Sequence, residues 1–187
     1  MEVILASQSP RRRELLGLFR LPFVIRVADI DETMDANASP YDEVARVSRE
    51  KALAVSRGAD DIVIAADTIV VCQGKVLGKP RTPEEATEML CLLSGRDHQV
   101  MTGMTVVRGN REISCTEVTD IHFRELSQKE IDAYVATKEP MDKAGAYGIQ
   151  GGAALFAEKM VGDYYNVMGL PVCKLRQIMN ELAPELF

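Results

Sequence analysis

The sequence lacks the short patterns that mark several common kinds of site. Its cysteines form no CxxC pair, and His98 and His122 are too far apart in the pattern to suggest a zinc pair. The GxSxG motif of serine hydrolases, the Walker A phosphate loop and the GxGxxG dinucleotide fingerprint are all missing. We therefore expect reduced, mostly buried thiols in a cytoplasmic protein. The cysteines are Cys72, Cys91, Cys115 and Cys173.

Long apolar runs and an excess of positive charge are also missing. No run approaches the roughly 20 residues that cross a bilayer, and too few apolar residues precede the first arginines for a signal peptide. The 22 basic and 28 acidic residues give a net charge of −6, which argues against a nucleic-acid partner. We expect neither membrane nor nucleic-acid binding. Because the 187 residues contain no repeat or linker, one domain over residues 1–187 is predicted.

Predicted strands and helices alternate along the chain, so the predicted class is α/β with a mixed sheet. The most apolar segment, residues 62–71, is a β-branched run typical of a central strand buried on both faces. Strands are also predicted at 99–107 and 113–123, as a hairpin, and at 153–158. Helices are predicted to follow Ser9, Ser39, Thr82 and Ser127, and a closing helix is predicted at 170–182.

The opening stretch, residues 3–16, has the sequence VILASQSPRRRELL. An apolar strand pattern runs into Ser7, and Ser9 followed by proline is typical of a helix start. Arg11, Arg12 and Arg13 then lie at the positive end of that helix, where free N–H groups and guanidinium groups favour phosphate. A solvated helix face is the alternative. The position directly after a strand favours a phosphate site.

Two acidic residues are candidates for chemistry. Asp67 interrupts the apolar run IVIAADTIVV, where a carboxylate costs several kcal/mol unless it is paired, bound to a metal or near the exit of the strand. Glu32 follows Asp29 and Asp31 in an acidic loop. Together, Glu32 and Asp67 would make an adequate magnesium site with substrate phosphates and water. The alternatives are a carboxylate bonded to a backbone turn and a solvated acidic loop.

Lys51, Lys79 and a glycine-rich stretch at 142–152 complete the candidate set. Lys51 lies on a helix among apolar neighbours, where an ammonium group needs a partner, and Lys79 lies between glycine and proline; either could be a surface lysine. In the stretch, Tyr147 could stack and Gln150 could bind a base edge, although a mobile structural loop is the alternative. The combined features favour a metal-dependent enzyme that acts on a nucleoside polyphosphate.

Several separated motifs along the chain resemble those of the Maf family, whose fold is related to that of the inosine triphosphate pyrophosphatases. The matching motifs are LASQSPRRRELL, DIDET, REKA, AADTIV, GKPRT, LSGRDHQVMTG and DKAGAYGIQG. The resemblance covers essentially the whole chain. It implies an elongated mixed sheet flanked by helices, with two lobes around a central cleft, and a homodimer.

The resemblance also implies hydrolysis of a nucleoside triphosphate between its α and β phosphates, with Mg²⁺ or Mn²⁺. Asp67 would be the general base or a metal ligand, and Glu32 would help to hold the metal. Similarity to the dTTP/UTP branch makes Arg12, Thr68 and Gln150 specificity positions. The alternatives are a nucleotide-binding regulator of septum formation and a 7-methyl-GTP pyrophosphatase. The positions that match the family are Ser7, Arg11, Arg12, Glu32, Lys51, Asp67 and Lys79.

Overall fold

The computed structural model describes residues 1–27 and 29–187. The chain forms two compact units, each assembled from separate segments. Unit 1 consists of Met1–Asp67, Thr102–Glu117 and Gly169–Phe187. Unit 2 consists of Thr68–Met101 and Val118–Met168.

The strands of residues 1–27 and 29–187 form a seven-stranded sheet, and its mixed parallel and antiparallel character confirms the predicted class. Its order is β2-β1-β3-β5-β6-β7, and β4 pairs with β3 off this path. Strand β1 runs parallel to both β2 and β3, whereas β4 is antiparallel to β3 and β7 is antiparallel to β6. The strands are β1 (Val3–Leu5), β2 (Phe23–Ile25), β3 (Ile62–Cys72), β4 (Lys75–Leu77), β5 (Asp97–Arg108), β6 (Arg111–Phe123) and β7 (Ala157–Val161).

Capping side chains fix where several helices begin. Ser9 Oγ accepts a hydrogen bond from Arg12 N, and Thr82 Oγ1 accepts one from Glu85 N. Ser127 and Glu130 form a reciprocal capping box, so these predicted helix starts are confirmed. No helix in residues 1–27 and 29–187 is long and apolar enough to cross a membrane. The helices are α1 (Pro10–Gly17), α2 (Pro40–Ala54), α3 (Pro83–Leu93), α4 (Gln128–Ala136), α5 (Tyr164–Met168) and α6 (Val172–Leu182).

In unit 1, helix α2 approaches strand β5 very closely. A Cβ atom at Gly103 would overlap the carbonyl oxygen of Val44, so only glycine allows this packing. Ser48 Oγ and Thr105 Oγ1, 2.8 Å apart, add a buried hydrogen bond. These contacts fix the helix that carries Lys51. Apolar packing around them comes from Ile4, Ala6, Ala52, Val55, Val63, Ala65 and Val107.

Unit 2 has a core rich in aromatic rings. Phe123 is fully buried and contacts both Tyr147 and His98 edge-to-face, each with ring centroids 4.8 Å apart. Tyr134 packs edge-to-face on Phe156 at 5.2 Å. Because such pairs have preferred geometry, they orient the segments that carry them.

Two predictions about local structure are wrong. The strand predicted at 153–158 is a 3-10 turn at Gly152–Leu155 followed by β7, because Ala153 and Phe156 are buried while the two residues between them are exposed. Burial at a spacing of three suits a 3-10 turn rather than an alternating strand. The thiols are free but not mostly buried, since only Cys72 is buried and Cys91 and Cys173 are exposed.

Candidate active site

The junction between β1 and α1 holds one guanidinium group in a defined position. Arg12 Nη1 donates to Ser7 Oγ over 3.3 Å, and Arg12 Nε donates to the carbonyl oxygen of Gly169 over 2.8 Å. Ser7 is buried, and its Oγ also accepts a hydrogen bond from Ser9 N at 3.2 Å. The local turn therefore fixes both the hydroxyl group and the arginine that contacts it.

The electrostatic surroundings of Arg12 join this junction to the predicted carboxylates. Burial lowers the pKa of the Arg12 guanidinium, and the charge of Arg11 lowers it further. The negative charges of Asp67 and Glu32 raise it. Arginine nevertheless stays protonated at neutral pH. Arg12 therefore lies within electrostatic reach of both carboxylates and brings a fixed positive charge to them.

Lys51 lies between the two predicted carboxylates. Its Nζ is 2.7 Å from Asp67 Oδ1 and 3.0 Å from Glu32 Oε2. The Lys51 and Asp67 side chains are only 14% and 15% exposed, whereas Glu32 is 59% exposed. The apolar neighbours of Lys51 in the sequence indicated that it needs a partner, and the structure supplies two. We call Arg12, Glu32, Lys51 and Asp67 the charge cluster.

The charge cluster contains the donor set expected for a hard divalent cation. Glu32 Oε2 and Asp67 Oδ1 both contact Lys51 Nζ, so the two carboxylates lie near each other and the ammonium group occupies the point between these oxygens. Magnesium commonly uses one or two carboxylates and completes its shell with water and phosphate oxygens. In residues 1–27 and 29–187, no group of three or more acidic, histidine or cysteine side chains could hold a metal. The two-carboxylate set fits Mg²⁺ or Mn²⁺ bound together with a phosphate substrate.

The other predicted site residues belong to unit 2. Thr68 follows Asp67 in strand β3 and is half-buried, whereas Lys79 and Gln150 are exposed. The residue before Lys79 accepts a hydrogen bond from the glycine-rich stretch, from Gly145 N to the carbonyl oxygen of Gly78, at 3.0 Å. This bond joins the segment that carries Lys79 to the stretch that carries Gln150.

The prediction that Tyr147 is available for stacking is wrong. Tyr147 is 5% exposed, and its hydroxyl group is 2.8 Å from His98 Nε2 in the core of unit 2. Burial raises the pKa of Tyr147, so its hydroxyl stays neutral.

The sequence patterns also did not reveal Tyr134 and Glu139, which bond to the backbone on both sides of Gln150. Their only sequence signal is proximity to the glycine-rich stretch.

Comparison with known proteins identifies the family. The family model for Maf-like proteins matches residues 2–182. Proteins named dTTP/UTP pyrophosphatase from Bacillus cereus (strain B4264) and Bacillus anthracis are each 49% identical over 175 residues, which cover 93% of this chain and 92% of each relative. A HAM1 protein from Coxiella burnetii shares the fold at 16% identity, with a TM-score of 0.53 over 97% of this chain and 99% of its own. This chain belongs to the Maf-like protein family.

Proposed function

We propose that this protein hydrolyses dTTP and UTP, or modified pyrimidine nucleotides, to the monophosphate and pyrophosphate. The observation that carries the proposal is the charge cluster of unit 1, in which Lys51 bridges Asp67 and Glu32 within electrostatic reach of Arg12. Such a cluster offers carboxylates to activate water and fixed cations to bind phosphate. Relatives that are 49% identical and named dTTP/UTP pyrophosphatase support the same substrates.

The triphosphate binds at the start of helix α1. Arg11 and Arg12 lie in the first turn of that helix, where the dipole and the guanidinium groups attract anions. Ser7 orients Arg12 by accepting a hydrogen bond from its guanidinium group. Lys79 is a further candidate phosphate ligand, because an ammonium group attracts anions. None of these cationic groups gives up a proton readily at neutral pH, so they bind and stabilise charge rather than activate water.

Asp67 is the general base. Lys51 contacts Asp67 Oδ1, so Oδ2 takes a proton from the attacking water. The oxygen of that water bonds to phosphorus, the P–O bond between the α and β phosphates breaks, and pyrophosphate leaves with the bonding electron pair. When bound by Glu32 and Asp67, Mg²⁺ or Mn²⁺ supplies positive charge to the phosphate oxygens. Lys51 and Arg12 balance the remaining negative charge.

Thr68, Arg12 and Gln150 discriminate between bases. The amide group of Gln150 has both a donor and an acceptor, which complement the O4 and N3–H edge of thymine or uracil. Cytosine presents a different donor and acceptor pattern on that edge. The glutamine favours dTTP and UTP over CTP when its amide N–H faces O4 and its amide oxygen faces N3–H, because the reverse orientation matches cytosine.

A cytoplasmic protein that forms a homodimer, with one domain over residues 1–187 and no nucleic-acid or membrane partner, fits this role. The acidic net charge of −6 supports the absence of a nucleic-acid partner. The alternatives are a nucleotide-binding regulator of septum formation without turnover and a 7-methyl-GTP pyrophosphatase. The charge cluster favours turnover over binding alone, because a binding protein needs no base next to the phosphates.

The test is an assay of the purified full chain with dTTP, UTP, CTP and 7-methyl-GTP in the presence of Mg²⁺ or Mn²⁺. We expect pyrophosphate release from dTTP and UTP at rates well above those from CTP and 7-methyl-GTP. Binding of dTTP without any release would favour the regulator. Faster release from 7-methyl-GTP than from dTTP and UTP would overturn the proposed substrates.

A further inference from the structure

Gln150 is exposed in a short turn that is mostly glycine. The turn comprises Gly148, Ile149, Gln150, Gly151 and Gly152, and we call it the Gln150 turn. An exposed glutamine in a flexible turn would lose much conformational entropy on binding a base. Whether it can select a base therefore depends on what holds the turn in place.

One carboxylate holds both ends of the Gln150 turn. Gly152 N donates to Glu139 Oε2 over 3.2 Å, and Gly148 N donates to the hydroxyl oxygen of Tyr134 over 3.0 Å. Tyr134 Oη in turn donates to Glu139 Oε1 over 2.9 Å. The two oxygens of Glu139 thus bind the two sides of the turn, one directly and one through a tyrosine. Gly151 N also donates to the carbonyl oxygen of Gly148 over 3.0 Å.

The glycines of this turn serve close packing. A Cβ atom at Gly151 would overlap the carboxylate of Glu139. The backbone of the turn therefore lies directly against the carboxylate that binds it. This packing argues against the mobile loop that the glycine content alone would suggest.

Tyr134 and Glu139 are themselves firmly placed. Tyr134 lies on helix α4, is 5% exposed and packs edge-to-face on Phe156. Burial raises the pKa of Tyr134, so its hydroxyl remains a donor to Glu139. Lys143 Nζ donates to the main-chain carbonyl oxygen of Glu139 over 2.8 Å and fixes the backbone there. Both residues can therefore transmit the rigidity of the unit 2 core to the turn.

We propose that Tyr134 and Glu139 are positioning residues for base selection, because they hold the backbone of the Gln150 turn from both sides and so limit the positions from which the Gln150 amide can meet a base. The inference rests on the proposed function, in which Gln150 binds the pyrimidine base. It extends that function to two residues that need not contact the nucleotide. Their loss should weaken base selection while leaving the charge cluster of unit 1 intact.

Tyr134→Phe is the sharpest variant, since it removes one hydroxyl group and keeps the buried ring. We expect KM for dTTP and UTP to rise about two- to tenfold, the range for loss of a hydrogen bond, with kcat little changed and the preference over CTP reduced. Ser94→Ala is the matched control in the same unit, because Ser94 Oγ accepts a backbone hydrogen bond from Leu126 N far along the chain from the turn. It should leave KM and base preference unchanged.

A double-mutant cycle with Gln150→Ala separates positioning from a general structural effect. If Tyr134 acts through Gln150, adding Tyr134→Phe to Gln150→Ala produces little further loss of base preference. Effects that multiply independently would overturn the inference, as would an unchanged KM and base preference in Tyr134→Phe. Amide hydrogen exchange at Gly148 and Gly152 should be faster in Tyr134→Phe than in the wild type, and equal exchange would likewise contradict positioning.

The proposed function and this inference fail in different ways. Wild-type protein that releases no pyrophosphate from any of the four nucleotides would sink the proposed hydrolysis. Equilibrium binding of dTTP and CTP in the presence of EDTA then still tests base selection, with the same variants. Wild-type protein that prefers dTTP, together with a Tyr134→Phe variant of equal preference, would sink the inference alone.

Discussion

The charge cluster of unit 1 and the Gln150 turn of unit 2 use carboxylates in opposite ways. In the cluster, Asp67 and Glu32 both form ion pairs with the ammonium group of Lys51. In the turn, Glu139 accepts hydrogen bonds from a neutral hydroxyl and a backbone N–H. Both arrangements satisfy carboxylates, but in the first an ion pair does so, in which a phosphate can replace a carboxylate and a metal can replace the ammonium group.

The difference indicates which region must rearrange when substrate binds. Ion pairs between half-buried side chains can be exchanged for contacts to phosphate at modest cost, because one charged partner replaces another. Bonds to the backbone of a tight turn cannot be exchanged without moving the turn. We therefore expect the charge cluster to be sensitive to changes of charge and the Gln150 turn to be sensitive to changes of shape.

Asp67→Asn should produce the largest effect, because it removes a charge and preserves shape. The amide oxygen can still accept from Lys51, so the fold should persist, but the proton acceptor for water is lost. We expect kcat for dTTP to fall about 1,000-fold, within the range of 10² to 10⁴ for general-base catalysis. Pyrophosphate release measures the rate, and thermal unfolding checks the fold.

Asp60→Asn is the matched control for this charge change. Asp60 is an exposed acid of the same unit, outside the charge cluster, and its loss should leave kcat within about twofold, as for an ordinary surface substitution. Full-rate release by Asp67→Asn would remove Asp67 from the role of base. Charge at this position would then matter only for binding.

The charge cluster could be predicted from the sequence better than the Gln150 turn could. An acid within an apolar run and a lysine among apolar neighbours both require partners, so Asp67 and Lys51 stand out in the sequence itself. Glu139 has no such signal, since an acid before a proline is ordinary in a loop. Glu139 accepts one hydrogen bond from Gly152 N and one from Tyr134, whose hydroxyl oxygen accepts another from Gly148 N. Sequence patterns do not reveal that these groups lie together.

Tyr147 illustrates the same limit. A tyrosine among glycines suggests an exposed stacking residue, but its packing partners come from two strands distant in sequence. His98 and Phe123 draw it into the core of unit 2. Local composition predicted the mixed α/β class and most helix starts because capping and alternation are local. It could not predict long-range side-chain burial.

The buried His98 makes unit 2 sensitive to acid in a range where most carboxylates remain ionised. Burial lowers the pKa of His98 from 6.5 to about 4, with smaller opposing effects from the backbone at Arg96 and from Asp97. Below pH 6.5 the unfolded chain binds a proton that the folded chain refuses, so the free energy of unfolding falls as pH decreases toward 4. The loss amounts to about 3 kcal/mol.

Unfolding in denaturant at several values between pH 4 and pH 7 measures this slope. His98→Gln should be less stable at pH 7, because it loses aromatic packing, but its stability should fall less steeply between pH 6.5 and 4. Tyr134→Phe is the control, because it removes a buried hydroxyl of the same unit, leaves His98 and its Tyr147 partner in place and should keep the slope. Equal slopes for His98→Gln and the wild type would exclude His98 as the source.

A smaller effect than those of Asp67→Asn and of His98 titration concerns the shape of the Gln150 turn. Gly151→Ala adds one methyl group without changing charge, and that group would overlap the Glu139 carboxylate. The turn or Glu139 must shift, so KM for dTTP should rise about tenfold, equal to roughly 1.4 kcal/mol, while kcat changes little. Gly17→Ala is the matched control, since a Cβ atom there meets nothing within 4 Å.

The comparison between the charge cluster and the Gln150 turn depends on whether Gly151→Ala changes kcat or KM. A fall in kcat with unchanged KM for Gly151→Ala would mean that the turn shapes the transition state rather than the bound base. The distinction between a charge-sensitive cluster and a shape-sensitive turn would then fail. A rise in KM for Gly151→Ala that is absent from Gly17→Ala would instead support base recognition by the Gln150 turn.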